Sequence, residues 1–489
     1  MTHRPVALGL VLLVLAGVVL AWPRAGPAAA AGVPVQAISA GGAHTCALTT
    51  AGGVKCWGDN GVGQLGSGTG GSSFVPSAVV NVDEGVGAVD AGPNRSCFLT
   101  NAGGVKCSGL NHFGQLGHDR LDICFFFPCS LVPEYVQTLE SGVAAVASGP
   151  GGTGGGHSCA LMEAGGVKCW GINGTGGALG DGGACGQVCT TPIDVPGLES
   201  GLMSIAASDT GSTCAVTDAG GVKCWGGNFL GIPNCCSTPT DVPGLESGVV
   251  AVAVGGFHGC ALTQAGGLKC WGSNNVGQLG DGSACGEACA PTDVLGLESG
   301  VTAVTAGPFL TCALTTAGTV KCWGDNSFGQ LGLGASDGKP HPLPLDVMGL
   351  GAGVRAVDAG TFHVCAVTDG GGVKCWGAND YGQLGDGQAC ISLRGCPRPV
   401  DVIGLGAKAA PTPTPTAPEA TATSTMPSAT APEPAATSTR PAVEGLPVTG
   451  VGSTPRDGID LWVAALVVGV GVSLAGCGAL RLLRRERAP

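Results

Sequence analysis

The residues best placed to do chemistry are the cysteines, 25 in a chain of 489 residues. Seven pairs have nine residues between their members: Cys46 and Cys56, Cys97 and Cys107, Cys159 and Cys169, Cys214 and Cys224, Cys260 and Cys270, Cys312 and Cys322, Cys365 and Cys375. Five closer pairs lie between or after them: Cys124 and Cys129, Cys185 and Cys189, Cys235 and Cys236, Cys285 and Cys289, Cys390 and Cys396. Thiols at such spacing oxidise to disulfides or hold metal. Zinc usually takes four N or S ligands, and each close pair stands alone in its own segment. Disulfides are therefore expected, with no metal and no other cofactor; the partners of the adjacent Cys235 and Cys236 stay open. Apart from Cys477, which lies in a C-terminal apolar run, the count is even and fits an oxidising compartment.

Positioning these pairs requires strands. Successive first cysteines are 51, 62, 55, 46, 52 and 53 residues apart, so the chain repeats itself in seven copies. Each copy opens on a short run of small and β-branched residues, such as Val301-Thr302-Ala303-Val304. A hairpin follows, as in His44-Thr45-Cys46-Ala47-Leu48-Thr49, a turn at Thr50-Ala51-Gly52-Gly53, and Val54-Lys55-Cys56-Trp57. Period-two alternation puts Cys46 and Leu48 on one face, with Cys56 and Val54 on the same face of the return strand. A turn centred on Ala51 opposes Cys46 to Cys56, and opposed Cβ atoms about 4.5–5.5 Å apart admit a cross-strand disulfide after modest adjustment. A fourth strand is expected after Asn-x-x-Gly-Gln-Leu-Gly, at Asp194-Val195-Pro196-Gly197-Leu198 in copy three. Four short strands per copy make a propeller blade. The expected fold class is all-β: a seven-bladed β-propeller, disulfide-stapled, with copies near 33–82, 83–141, 142–200, 201–247, 248–299, 300–350 and 351–406. Glycine, 91 residues, suits its many tight turns.

The motif His44-Thr45-Cys46-Ala47-Leu48, Gly53-Val54-Lys55-Cys56-Trp57-Gly58-Asp59-Asn60, Gly63-Gln64-Leu65-Gly66 resembles the regulator of chromosome condensation repeat, whose family forms seven-bladed propellers. Copies six and seven match closely, at Cys322-Trp323-Gly324-Asp325-Asn326 with Gly329-Gln330-Leu331-Gly332 and at Cys375-Trp376-Gly377 with Gly382-Gln383-Leu384-Gly385. Copy two has Ser108 for the tryptophan, copy three reads Gly177-Ala178-Leu179-Gly180, and copy four lacks the motif after Asn228. Those departures bear on loop shape in blades three and four. The resemblance is to the secreted bacterial type, among which binding alone can be the function; the nuclear member of the family is a guanine nucleotide exchange factor.

Both ends read as addresses. Residues 1–31, with Arg4 before the apolar run Val6–Ala21, are expected to be a secretory signal peptide. Residues 407–445, rich in Pro, Thr and Ala, read as a disordered, extended stalk. Leu446-Pro447-Val448-Thr449-Gly450 resembles a cell-wall sorting signal, which implies that a sortase cuts Thr449–Gly450 and joins Thr449 to an envelope amine. Residues 461–480 carry no charge and are long enough to span a membrane as a helix, and the basic tail 481–489 orients that span with the tail inside. The expected location is the extracellular face, anchored to cell wall or membrane by the C-terminus.

Other candidate chemistry is sparse. His44, His157, His258 and His363 share one repeat position, and a catalytic residue is needed once, so these are expected to be structural hydrogen-bond partners. The lysines before each second cysteine (Lys55, Lys106, Lys168, Lys223, Lys269, Lys321, Lys374) are expected to stack on the tryptophans or pack their stems. Cys124-Phe125-Phe126-Phe127-Pro128-Cys129 breaks the pattern. Three adjacent phenylalanines cannot all face inward, so they either anchor a partner or roof the neighbouring blade. Residues 32–406 hold 13 Lys and Arg against 28 Asp and Glu, which excludes nucleic acid as partner and favours a basic one.

These observations favour a non-catalytic binding module for an extracellular protein or glycan. A polysaccharide-acting enzyme on the same scaffold is the alternative, although no two carboxylates are paired in sequence. Guanine nucleotide exchange fits poorly with export.

Overall fold

The computed structural model describes residues 32–406, except 83–84, 120–121, 125, 152–154, 175, 209, 228–236, 284, 287 and 388–394. The signal peptide, stalk, sorting motif, apolar span and basic tail lie outside the described residues, as do Phe125, Cys235, Cys236 and Cys390.

The first blade is a meander in chain order: β1 (Val35–Ala40), β2 (His44–Thr49), β3 (Val54–Gly58) and β4 (Ser73–Ala78). Its register opposes Cys46 to Cys56 and Leu48 to Val54. Five further sheets repeat this four-strand order; blade two has five strands. There β5 (Val86–Ala91), β6 (Arg95–Thr100) and β7 (Val105–Leu110) are followed by a β8–β9 hairpin (Asp122–Cys124, Phe127–Tyr135), with β9 seated on β7. The fourth strand of copy three runs Val188–Asp194 rather than Asp194–Leu198. Pro196 and the positive φ of Gly197 end the ladder, and Val195–Leu198 close a turn in which Leu198 N donates to Val195 O.

All seven hairpin pairs are disulfide-bonded. Cys46 bonds Cys56, Cys97 bonds Cys107, Cys159 bonds Cys169 and Cys214 bonds Cys224. Cys260 bonds Cys270, Cys312 bonds Cys322 and Cys365 bonds Cys375. In each the Cα atoms are 4.1 Å apart, because the two cysteines face each other directly across the hairpin. The shared register also opposes Cys97 to Cys107, Cys159 to Cys169, Cys214 to Cys224 and Cys260 to Cys270. The loop bonds Cys124–Cys129, Cys185–Cys189 and Cys285–Cys289 are also formed, and Cys396 is disulfide-bonded.

Each blade has a cysteine face and a tryptophan face, and the ring is built by laying one on the other. The disulfide of blade six (Cys312–Cys322) packs with Trp376 and Ala366 of blade seven, and that of blade seven (Cys365–Cys375) with Trp57 and Ala47 of blade one. The disulfides of blades two to five repeat the contact: Cys97–Cys107 meets Trp170, Cys159–Cys169 meets Trp225, Cys214–Cys224 meets Trp271 and Cys260–Cys270 meets Trp323. Blade two, whose Trp is replaced by Ser108, presents Phe98 to the disulfide of blade one instead. Phe98 stands where the other described blades carry alanine, as at Ala47 and Ala313, so the bulk has moved to the adjacent strand on the same face.

The Gly-Gln-Leu-Gly loops complete these contacts. The Gln383 carbonyl accepts the Trp57 Nε1–H of the next blade at 2.9 Å, and Gln115, Gln278 and Gln330 serve Trp170, Trp323 and Trp376. A Cβ on Gly385, whose φ is 67°, would lie 2.7 Å from Trp57 Nε1, so only glycine admits the ring. Ala178 O takes over the role for Trp225. Among the described residues Trp271 Nε1 has no partner, and the blade before it lacks the motif.

The ring closes without an exchanged strand, since blades one and seven are each contiguous in sequence. Val33 bridges Leu405 in parallel and Gly406 N donates to Val33 O, so both ends of the described chain meet on one face. Outer strands β4 and β9, with Cys289–Asp293, His341–Asp346 and Cys396–Asp401, all contain proline, which removes edge donors and opposes pairing with other chains.

Replacing Phe98 with Ala should cost about 3–5 kcal/mol and Ser108→Trp alone about 1–3 kcal/mol, whereas the double variant should be more stable than either. Denaturant unfolding of the oxidised protein measures this. A double variant as unstable as the sum of the singles would show that the two positions do not share one space.

Candidate functional site

The repeated histidines are buried joints between blades. His363 Nε2 donates to Thr45 Oγ1 at 2.8 Å, and that hydroxyl donates onward to Gln383 O at 2.8 Å. His44 does the same to Ser96, His157 to Thr213 and His258 to Thr311. Because the hydroxyl proton is committed to the carbonyl, Nε2 must carry the imidazole proton and Nδ1 is left bare. All four rings are fully buried, and burial lowers each pKa to about 3.

The lysines do not stack on tryptophan. Lys168, Lys223, Lys269, Lys321 and Lys374 pair with Asp194, Asp241, Asp293, Asp346 and Asp401 at 2.6–2.8 Å. The opposing fourth strand places its terminal Asp directly across from each lysine. Lys106, whose strand faces Tyr135 instead, sits 4.7 Å from that ring. These exposed pairs contribute well under 1 kcal/mol each and are not a site.

The carboxylates facing the channel are also structural. Asp358 accepts from Ala40 N at 2.7 Å and from Thr305 Oγ1 at 2.8 Å, linking three inner strands. Asp90, at the equivalent position of blade two, is pushed up to about 7 by burial, against the pull of Ser148 and Arg95 and with a push from Asp358. Arg95 replaces the histidine of blade two and donates to Ser158 Oγ and His157 O. None of these acids faces solvent as a hydrolytic pair would.

Strand direction sorts the loops onto two faces. The second-to-third turns and the blade-to-blade connections share the face where the chain ends meet, as Val86 N donating to Gly52 O shows. The first-to-second and third-to-fourth loops share the other, where Asp59 N donates to Ala43 O. That second face carries the aromatics. In blade two the β8–β9 hairpin holds Phe126 at 93% exposure with φ 78°, clamped by Cys124–Cys129. Phe127 is half-buried and meets His112 edge-on, and His112 meets Phe113 likewise. Of the triad, then, Phe126 projects and Phe127 packs.

A second aromatic group was legible only by aligning the copies one residue before the histidine. Phe257, Phe309 and Phe362 occupy that position in blades five to seven, half-buried around the channel mouth. Phe257 stacks on Phe309 at 5.3 Å, and Phe362 meets Phe328 from the blade-six loop at 4.8 Å. The same position in blades one, two and four holds Ala43, Asn94 and Gly211.

Comparison with known proteins agrees with this architecture. Two models described as Regulator of chromosome condensation (RCC1) repeat match residues 35–64, 88–115, 249–278, 301–330 and 354–383, and residues 266–314 and 317–367. The Ultraviolet-B receptor UVR8 of Arabidopsis thaliana is 28% identical over 370 residues, covering 73% of this chain and 79% of the receptor. The E3 ubiquitin-protein ligase HERC2 of Homo sapiens is 30% identical over 72% of this chain, but the match spans only 6% of the ligase. Among solved structures, Prp20p of Saccharomyces cerevisiae, studied for its binding to Gsp1p and histones, superposes with a TM-score of 0.60 at 20% identity, covering 76% of this chain and 87% of that one. Human WBSCR16 gives 0.58 at 24% identity, covering 68% and 87%. Likeness at this level concerns the fold.

The joints between blades have a measurable pH signature. Between pH 6.5 and 3 the unfolded chain binds protons on four histidines that the folded chain refuses, so stability is present above 6.5 and lost as pH falls. Asp90 acts oppositely between 3.8 and 7, holding a proton only when folded, but it is one group against four. Against the net of four histidines less Asp90, His258→Gln should flatten the acid slope of the unfolding free energy by roughly a third. An unchanged slope would mean that His258 is not buried neutral.

Proposed function

We propose that this chain, a seven-bladed propeller of regulator of chromosome condensation repeats, is a binding module displayed outside the cell. The signal peptide, stalk and Leu446–Gly450 sorting motif would export it and hold it to the wall or membrane through the C-terminus. The observation that carries this reading is Phe126: an almost wholly exposed aromatic at positive φ, clamped by a disulfide, on the face opposite the chain ends. A stalk leaving beside Gly406 would turn that face outward. A rigid exposed phenylalanine gains affinity by burial in a partner's pocket without first losing conformational freedom. The receptor named above, 79% of whose length is matched, is described by reception, which supports recognition.

The test uses the full chain, oxidised, in detergent, immobilised against envelope and culture-medium fractions. Phe126→Ser should abolish capture of the dominant partner and leave the unfolding midpoint unchanged, whereas Asp90→Asn should leave capture intact. Catalytic turnover of an envelope polysaccharide, undiminished in Phe126→Ser, would replace the proposal with the enzyme alternative. Thr449→Ala should keep the chain in the membrane fraction and out of the covalently wall-linked fraction.

A further inference from the structure

Aromatic loop residues two before the motif glutamine occur in blades two, six and seven, and the residues aligned to cover them in the next blade are Gly156, Phe362 and Ala43. In blade six the loop residue two before the motif glutamine, Phe328, is covered by Phe362 from the first-to-second loop of blade seven, 4.8 Å between ring centroids. The equivalent loop residue of blade seven is Tyr381, two before Gln383, and the residue that would cover it in blade one is Ala43. The equivalence is structural. Ala43 O, Phe309 O and Phe362 O each accept, at 2.8 Å, from the backbone amide that follows the third strand of their own blade. Tyr381 N and Phe328 N both donate to the Oε1 of their motif glutamine. Where Phe362 covers Phe328, blade one offers only the methyl group of Ala43 at the aligned position, while Phe74 of its fourth strand lies against the adjoining Gly382. Tyr381 is accordingly 40% exposed while Phe328 is 9% exposed.

The uncovered ring is bordered by carboxylates. Asp380 precedes it in sequence and is exposed; partial burial first, and then the charges of Asp59 of blade one and of Asp380, oppose ionisation of the Tyr381 hydroxyl. Asp59 is held by Gly61 N at 3.1 Å and by Gln64 Nε2 at 2.7 Å, both neutral donors, so its negative charge is not cancelled. An open aromatic face with two carboxylates at its border is the chemistry that recognises an alkylammonium or guanidinium group: the π face attracts the cation and the carboxylates accept its protons. A sugar would offer no charge to match them. The surplus of acidic residues over residues 32–406 adds a long-range field of the same sign.

We propose that the slot between Tyr381 and Ala43 receives a lysine or arginine side chain of a protein partner, with the phenylalanines of blades five to seven packing the apolar residues beside it. This deepens the binding-module reading and rests on it. Blade one separates the slot from the Phe126 hairpin of blade two on the same face, so one partner surface can reach both.

The probe is an array of decapeptides in which Lys/Arg content and aromatic content vary independently, with cellohexaose and chitohexaose spotted alongside, read with the oxidised full chain in detergent. The expected result is binding to peptides that combine Lys or Arg with an apolar residue, weakened steeply by salt. Tyr381→Ala and Asp380→Asn should each weaken it about tenfold. Ala43→Phe keeps every charge and supplies the missing cover, so it should abolish selection for Lys and Arg; its unfolding midpoint, unchanged, shows that the fold survives. Binding to the glycans or to neutral peptides that Phe126→Ser removes would overturn this inference and leave the binding module standing. Lys/Arg selection that survives Ala43→Phe would also overturn it. Wild-type chain that binds no probe would count against both.

Discussion

Each blade of this propeller is stable only because its neighbour covers it, and the contact that does so is an indole laid against a disulfide. A tryptophan buries about 200 Å² of apolar surface, worth about 5 kcal/mol at about 25 cal/mol per Å². Its single polar atom must then find a partner, and the glutamine carbonyl of the preceding blade supplies it. After blades five and seven the same carbonyl also accepts a threonine hydroxyl that itself accepts the histidine, so one oxygen ties indole, threonine and imidazole, and Ala178 O plays that part after blade three. This explains why cysteine, tryptophan, glutamine and histidine recur together. The disulfide fixes the hairpin that presents the flat face, the glycine leaves room for the ring, and the glutamine satisfies its N–H.

The blade-two exception follows from the same constraint. Losing the indole leaves a volume that must be filled, because a void beside a buried disulfide forfeits dispersion contacts. Phe98 fills it from the neighbouring strand, and Ser96 takes up the glutamine carbonyl, donating to Gln64 O at 2.8 Å. The ring thus keeps its shape while its chemistry changes.

Repetition also separates scaffold from function. Features present in most blades are accounted for by the scaffold: the histidines by the joints between blades, and the lysines by pairing with an aspartate of the same blade. What is left are departures on one face: the Phe126 hairpin, the phenylalanines confined to blades five to seven, and the uncovered Tyr381. These share the face opposite the meeting point of the chain ends, which is the face a C-terminal tether would turn outward. Acidic residues are in excess over the ring as a whole, so a partner approaching that face meets a negative field before it meets the aromatics.

The four-strand meander of every blade but the second, the hairpin register and the pairing of Cys46 with Cys56 were legible in the sequence, because period-two alternation and a short Gly turn leave one register that puts the apolar residues on a common face. The seven-fold repeat was legible for the same reason: local patterns recur wherever local physics is the same. Three things were decided only by tertiary structure. The lysines pair with fourth-strand aspartates, because the partner strand begins after loops of variable length that sequence spacing does not register. Phe98 replaces a tryptophan ten residues away, because the two meet only as side chains on one face of paired strands. Tyr381 lacks the cover that Phe328 has because the aligned residue is Ala43 of blade one, 338 residues earlier, and only the closing of the ring sets the Ala43 and Gly58 backbone beside the Gln383 loop.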